Sequence, residues 1–74
     1  MTALKVHLSR TDTTIIASTD DGRRTEFRPS LYPNPTVRAR EIATRLGRSH
    51  SPLASTYKAH WDAIAMNFEL EASA

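Results

Sequence analysis

The chain has 74 residues, 39% of them hydrophobic and 24% charged, and it contains no cysteine. That length fits one domain, residues 1–74, and excludes a second. Without Cys there is no disulfide staple, no thiolate zinc site and no cysteine nucleophile, which accords with a reducing cytoplasm. Ten Lys and Arg against eight Asp and Glu give a net charge of +2, too small taken whole to mark a polyanion binder.

A chain of this size buries only about 60% of its unfolded surface, so a homodimer is expected to supplement a marginal core. The start of the chain, Met1 to Leu8, lacks an apolar stretch of signal-peptide length. Nothing further along approaches the roughly 20 apolar residues of a membrane span, so no membrane partner is expected. Glycine occurs only at Gly22 and Gly47, which rules out a glycine-rich phosphate loop and leaves no cofactor implied.

Leu4, Val6 and Leu8 alternate with Lys5, His7 and Ser9, the period of a half-buried strand. After a polar turn at Arg10 to Asp12, the β-branched run Thr13 to Thr19 predicts a second strand, and Asp20-Asp21-Gly22 supplies a hairpin signal. Thr25 and Phe27 then share one face and Arg24, Glu26 and Arg28 the other, predicting a short third strand that Pro29 stops. The proline-rich segment 29–35 reads as an extended connector, with Leu31 and Tyr32 expected over the open face of the sheet.

Asn34-Pro35 is a helix start and Gly47 a matching stop. Between them Ala39, Ile42, Ala43 and Leu46 form an apolar stripe, while Glu41 and Arg45 stand in the acid-first i,i+4 order that favours pairing. Ser51-Pro52 repeats the start signal, and Leu53, Tyr57, Trp61, Ile64 and Phe68 recur at helical steps. From residue 64 to 71 the pattern also alternates as a strand does, so a fourth strand competes with the end of the second helix. The expected fold is therefore α+β: a three-stranded antiparallel meander followed by two helices.

The charge is unevenly placed. Residues 38–61 hold Arg38, Arg40, Arg45, Arg48 and Lys58 against Glu41 alone, a local charge of +4, whereas residues from 62 onward hold Asp62, Glu69 and Glu71, a charge of −3. Arginine, the commoner base here, clamps phosphate or carboxylate through a planar fork.

The segment from Ala39 to Lys58 resembles the helix-turn-helix of bacterial and phage transcription regulators. Ala43 supplies the small residue at which the second helix crosses, Gly47 the turn position four residues later, and Leu53 the early apolar anchor. Arg48 and Thr56 stand where that family usually has apolar residues, and the family usually opens with a helix. The resemblance implies a recognition helix from residue 52, with Ser51, Ser55, Thr56 and Lys58 facing bases or phosphates, Arg48 and His50 near the backbone, and Arg38 and Arg45 in the same basic surface. In element order only, the chain also resembles the arm-binding regions of phage-type integrases, which lay a sheet into the major groove; there Lys5, His7, Arg24 and Arg28 are the contact set.

Catalysis and metal binding find little support in the sequence. His7, His50 and His60 lack metal-ligand spacing, and Ser49, Ser51 and Ser55 near His50 and Asp62 lack the scaffold and oxyanion pocket of a hydrolytic set. His60 reads as boundary packing beside Trp61, and Arg23-Arg24 as a solvated corner. Two functions follow: a small non-catalytic nucleic-acid-binding protein of the regulator or mobile-element accessory kind, or a protein-binding adaptor or inhibitor using its sheet edge or the Tyr57 and Trp61 surface.

Overall fold

The structure is a computed structural model that describes residues 5–73. Its elements run β1 (Val6–Arg10), β2 (Ile15–Thr19), β3 (Arg24–Phe27), a 3-10 turn (Pro29–Leu31), α1 (Pro35–Gly47) and α2 (Pro52–Ser73). This is the α+β order that the sequence predicts. Leu4, the first residue of the expected apolar alternation, lies outside the described residues.

The strands form an antiparallel meander in the order β1-β2-β3. Val6 pairs with Thr19, Leu8 with Ala17 and Arg10 with Ile15, while Ala17 faces Thr25 and Ile15 faces Phe27. Residues opposite one another in an antiparallel ladder share a face. One face therefore carries Ile15, Ala17, Thr19, Thr25 and Phe27, all buried beneath α2. The other carries His7, Ser9, Ile16, Ser18, Arg24 and Glu26, and neither helix covers it.

The hairpin between β2 and β3 closes by a tight turn in which the Gly22 amide donates to the Thr19 carbonyl at 3.0 Å. Gly22 has a φ of 86°, the left-handed region that favours glycine. The Asp-Gly signal is thus read by a turn that places only its glycine there. Gly47 has a different task from the one its spacing suggests. It lies inside α1, Arg48 caps the helix with a right-handed backbone (φ −93°, ψ −7°), and a Cβ at residue 47 would come within 3.0 Å of Lys58 Cε. Glycine is used there for close approach and not for a left-handed stop.

Asn34 caps α1 by accepting from the Val37 amide at 3.3 Å, a contact worth about 1 kcal/mol. The Ser51 hydroxyl accepts likewise from the Leu53 amide at 3.3 Å. α2 continues unbroken to Ser73, so the competing fourth strand does not form. Phe68 and Ile64 are needed on one side of a helix against the sheet, and helical spacing provides that while alternation would send them to the same face as Met66 and Leu70.

Ile15, Ala17, Phe27, Ala39, Ile64 and Ala65 make the core, with Val6, Tyr32, Trp61 and Phe68 packed against it. Phe27 is its aromatic centre: Tyr32 stacks on it at 5.2 Å, and Trp61 and Phe68 meet it edge-on at 5.2 and 5.8 Å. Each such pair contributes about 0.5–1.5 kcal/mol beyond burial. Tyr32 therefore joins the helix-covered side of the sheet and not its open face, and Leu31 is left exposed. The 3-10 turn at Pro29–Leu31 causes this, because it swings the connector round the end of β3.

Candidate functional site

Beneath the sheet lies a polar chain whose histidine the sequence pattern assigns to the boundary. His60 is fully buried, with Nε2 2.9 Å from the Thr19 hydroxyl and Nδ1 2.7 Å from the Thr25 hydroxyl. Thr19 in turn donates to the Asp21 carboxylate. A carboxylate only accepts, so the Thr19 proton is committed and its oxygen must accept from Nε2–H; Nδ1 of the neutral ring then accepts from Thr25. Burial holds the His60 pKa below its ordinary value, with the Asp21 charge opposing that shift. The Thr19 hydroxyl, the largest cause, and Arg23 hold the Asp21 carboxyl below the usual carboxylate range. A signal was available: His60 falls at the inward helical phase of Tyr57, Trp61 and Ile64, and both threonines fall at inward strand positions.

This chain also fixes the direction of α2. His60 sits under the β2–β3 turn, while Glu71 meets Arg10 at 2.9 Å beside the β1–β2 turn. α2 thus starts beneath the β2–β3 turn, and the turn joining α1 to α2, residues 48–51, projects from the same end of the molecule. Lys5, Arg23, Arg24, Arg45, Arg48 and Lys58 belong to segments that lie toward that end, on both sides of the sheet. The opposing acids there are engaged: Asp20 with His7 at 3.1 Å, Asp21 with Thr19 and with Arg23 at 3.5 Å, and Asp62 with Lys58 at 2.6 Å. Among the described residues no carboxylate lies within 4 Å of Lys5, Arg45 or Arg48.

The remaining basic residues of the +4 segment are drawn into ion pairs, Arg40 by the acidic tail and Arg38 by Glu41. Arg40 bonds Asp62 at 3.1 Å and also Glu69, which raises its pKa further. Arg38 pairs with Glu41 at 3.5 Å and lies 5.8 Å over the Tyr32 ring. Glu41 is thereby engaged i,i+3 with Arg38, in place of the expected i,i+4 partner Arg45. The guanidinium groups of this segment do not form one continuous outward patch.

Of the residues expected on a recognition helix, Ser51 and Ser55 are exposed, as are Arg48 and His50 in the turn. Thr56 is only 7% exposed and therefore does not face an external ligand; it occupies an inward phase of α2 between Ala54 and His60. Leu53, expected as an anchor, is instead 46% exposed. α1 and α2 run side by side along the whole of α1, from Gly47 against Lys58 to Ala39 against the Ile64 and Ala65 layer. Trp61 and Tyr57 do not form an outward aromatic surface: Trp61 packs on Phe27, and Tyr57 meets His60 edge-on at 5.5 Å.

On the open sheet face His7 and Arg24 are exposed beside Lys5, with Arg28 in the same phase toward the other end. Arg24 approaches Glu26 at 3.6 Å, both side chains more than half exposed, a pairing of little energetic consequence. The Arg23–Arg24 corner thus divides: Arg23 braces the turn through Asp21, and Arg24 projects from the open face.

No helix among the described residues is long and apolar enough to cross a membrane. No protein-family model, no curated protein and no solved structure matches the chain.

Proposed function

We propose that this chain is a small, non-catalytic, homodimeric nucleic-acid-binding protein that docks through its basic end. The observation that carries the reading is that two sets of bases from separate parts of the sequence lie toward the same end of the molecule, one on the open sheet face and one on the helical hairpin. Arg24 comes from the sheet and Lys5 from the residue before β1, and Arg45 and Arg48 come from the helical hairpin. The Ser49, His50 and Ser51 side chains beside them supply further hydrogen-bonding groups of the kind that position a phosphate backbone. Affinity on this reading is mainly electrostatic, with Arg forks on phosphates and the open sheet face lying alongside the duplex.

Retention of a labelled duplex on nitrocellulose across a salt series tests this. Four phosphate contacts give a log K against log salt slope of about −4. Arg45→Glu with Arg48→Glu, and separately Lys5→Glu with Arg24→Glu, should each weaken retention at least about tenfold, while Arg10→Ala at the opposite end leaves it unchanged. Absence of retention of duplex and single strand at low salt, or a flat salt response, overturns the proposal.

A further inference from the structure

α2 is apolar on more sides than its own molecule covers. The side toward the sheet carries His60, Ile64 and Phe68, and the side toward α1 carries Ala54 and Ala65. A third side carries Ala59, Ala63, Met66 and Leu70, spaced four, three and four residues apart, with Met66 57% and Leu70 66% exposed. An apolar stripe at four-three spacing is the seam of paired helices.

We infer that this third side of α2 binds a second copy of the chain, with the two α2 helices antiparallel about a two-fold axis. The inference names the surface of self-association and stands apart from the choice of nucleic acid as partner. Size complementarity selects the direction. An axis passing midway between Ala63 and Met66 sets Ala59 against Leu70 of the second copy and Ala63 against its Met66, a small side chain opposite a large one at every level. A parallel pair would stack alanine on alanine at one end and leucine on leucine at the other.

The bases and the helix dipole select the same direction. Arg45 and Arg48 lie toward the start of α2, whereas Glu69 and Glu71 in its last turns are held by Arg40 and Arg10. Antiparallel pairing keeps the bases of the two copies at opposite ends and opposes the two helix dipoles, while parallel pairing brings the bases together and aligns the dipoles. The surface is self-complementary, as a two-fold contact requires.

Sedimentation of the full chain should give twice the monomer mass, and Met66→Glu with Leu70→Glu should give the monomer mass with an unchanged helical circular dichroism spectrum. Because the sequence has no cysteine, Ala59→Cys and Leu70→Cys report the direction. In the antiparallel pair identical positions lie about 16 Å apart along the helix, so neither variant oxidises to a disulfide alone, while an equimolar mixture gives a covalent dimer. A monomer at every concentration, a dimer that survives both glutamates, or a disulfide formed by either single variant alone overturns the inference. Should the double glutamate variant fail to fold, the cysteine mixture still decides it. Nitrocellulose retention by the monomeric variant reads the nucleic-acid proposal separately.

Discussion

The Thr25 hydroxyl stands 2.7 Å from Nδ1 of His60 and is the first donor in a one-way chain from Thr25 through His60 and Thr19 to Asp21. Such a chain holds its members at a single arrangement of protons. Removing one member strands the others. His60→Ala should lower stability by about 3–5 kcal/mol, from the cavity, the Thr25 hydroxyl left without its acceptor and the Thr19 oxygen left without its donor. His60→Leu fills the space but leaves the Thr25 hydroxyl without its acceptor and Thr19 bonded to Asp21 alone, at about 1–3 kcal/mol. Adding Thr19→Val and Thr25→Val to His60→Leu should restore much of the loss. Urea denaturation followed by circular dichroism measures each, and a triple variant no better than His60→Leu would dissolve the chain as an energetic unit.

The same ring makes stability depend on pH. Its folded pKa lies below the unfolded value because burial disfavours the imidazolium. The unfolded chain therefore binds more protons, and stability falls as pH drops below the ordinary histidine value of about 6.5. The contribution is fully present above that pH. Urea midpoints between pH 8 and 5 should decline in the parent chain. The decline should shrink when His60→Leu is combined with Thr19→Val and Thr25→Val, but persist in a His7→Gln, His50→Gln control.

The two glycines should respond oppositely to alanine. At Gly22, φ 86°, a Cβ forces left-handed strain of about 1–2 kcal/mol. At Gly47 the backbone is helical and the obstacle is Lys58 Cε at 3.0 Å, the far part of a flexible side chain. Alanine there should gain up to about 1 kcal/mol of helix propensity as Lys58 swings aside. Thermal melts of the two variants check the opposed signs.

Arg40 links α1 to both Asp62 and Glu69, yet its side chain is 45% exposed. Arg40→Ala should therefore cost no more than about 1 kcal/mol, and the cost should fade in high salt. A larger, salt-independent loss in urea denaturation would mean that packing of the Arg40 stem holds the hairpin together.

Much of this fold was legible because local signals agreed with one another: Asn34 and Ser51 at helix starts, the turn glycine at Gly22, and the alternation around Thr25 and Phe27. The boundary of α2 was not, since residues 64–71 satisfy both periods and only the requirement that Phe68 reach Phe27 decides between them. The site was less legible than the fold. Local charge identified Arg45 and Arg48, but that Arg40 is withdrawn depends on Asp62 and Glu69, 22 and 29 residues away, reaching it from α2, a long-range event with no local signature. The helical phase of His60 pointed inward, but its pairing escapes local inspection for a related reason: its partners Thr19 and Thr25 lie 41 and 35 residues away.

Trp61 is the chain's one tryptophan, and it stands edge-on to Phe27 at the seam between α2 and the sheet. Its fluorescence emission is thus a built-in optical gauge of that seam. It should shift red when helix and sheet separate, while a ligand held at the basic end leaves it in place, so loss of the fold and occupancy of the surface give different spectra from the unmodified protein.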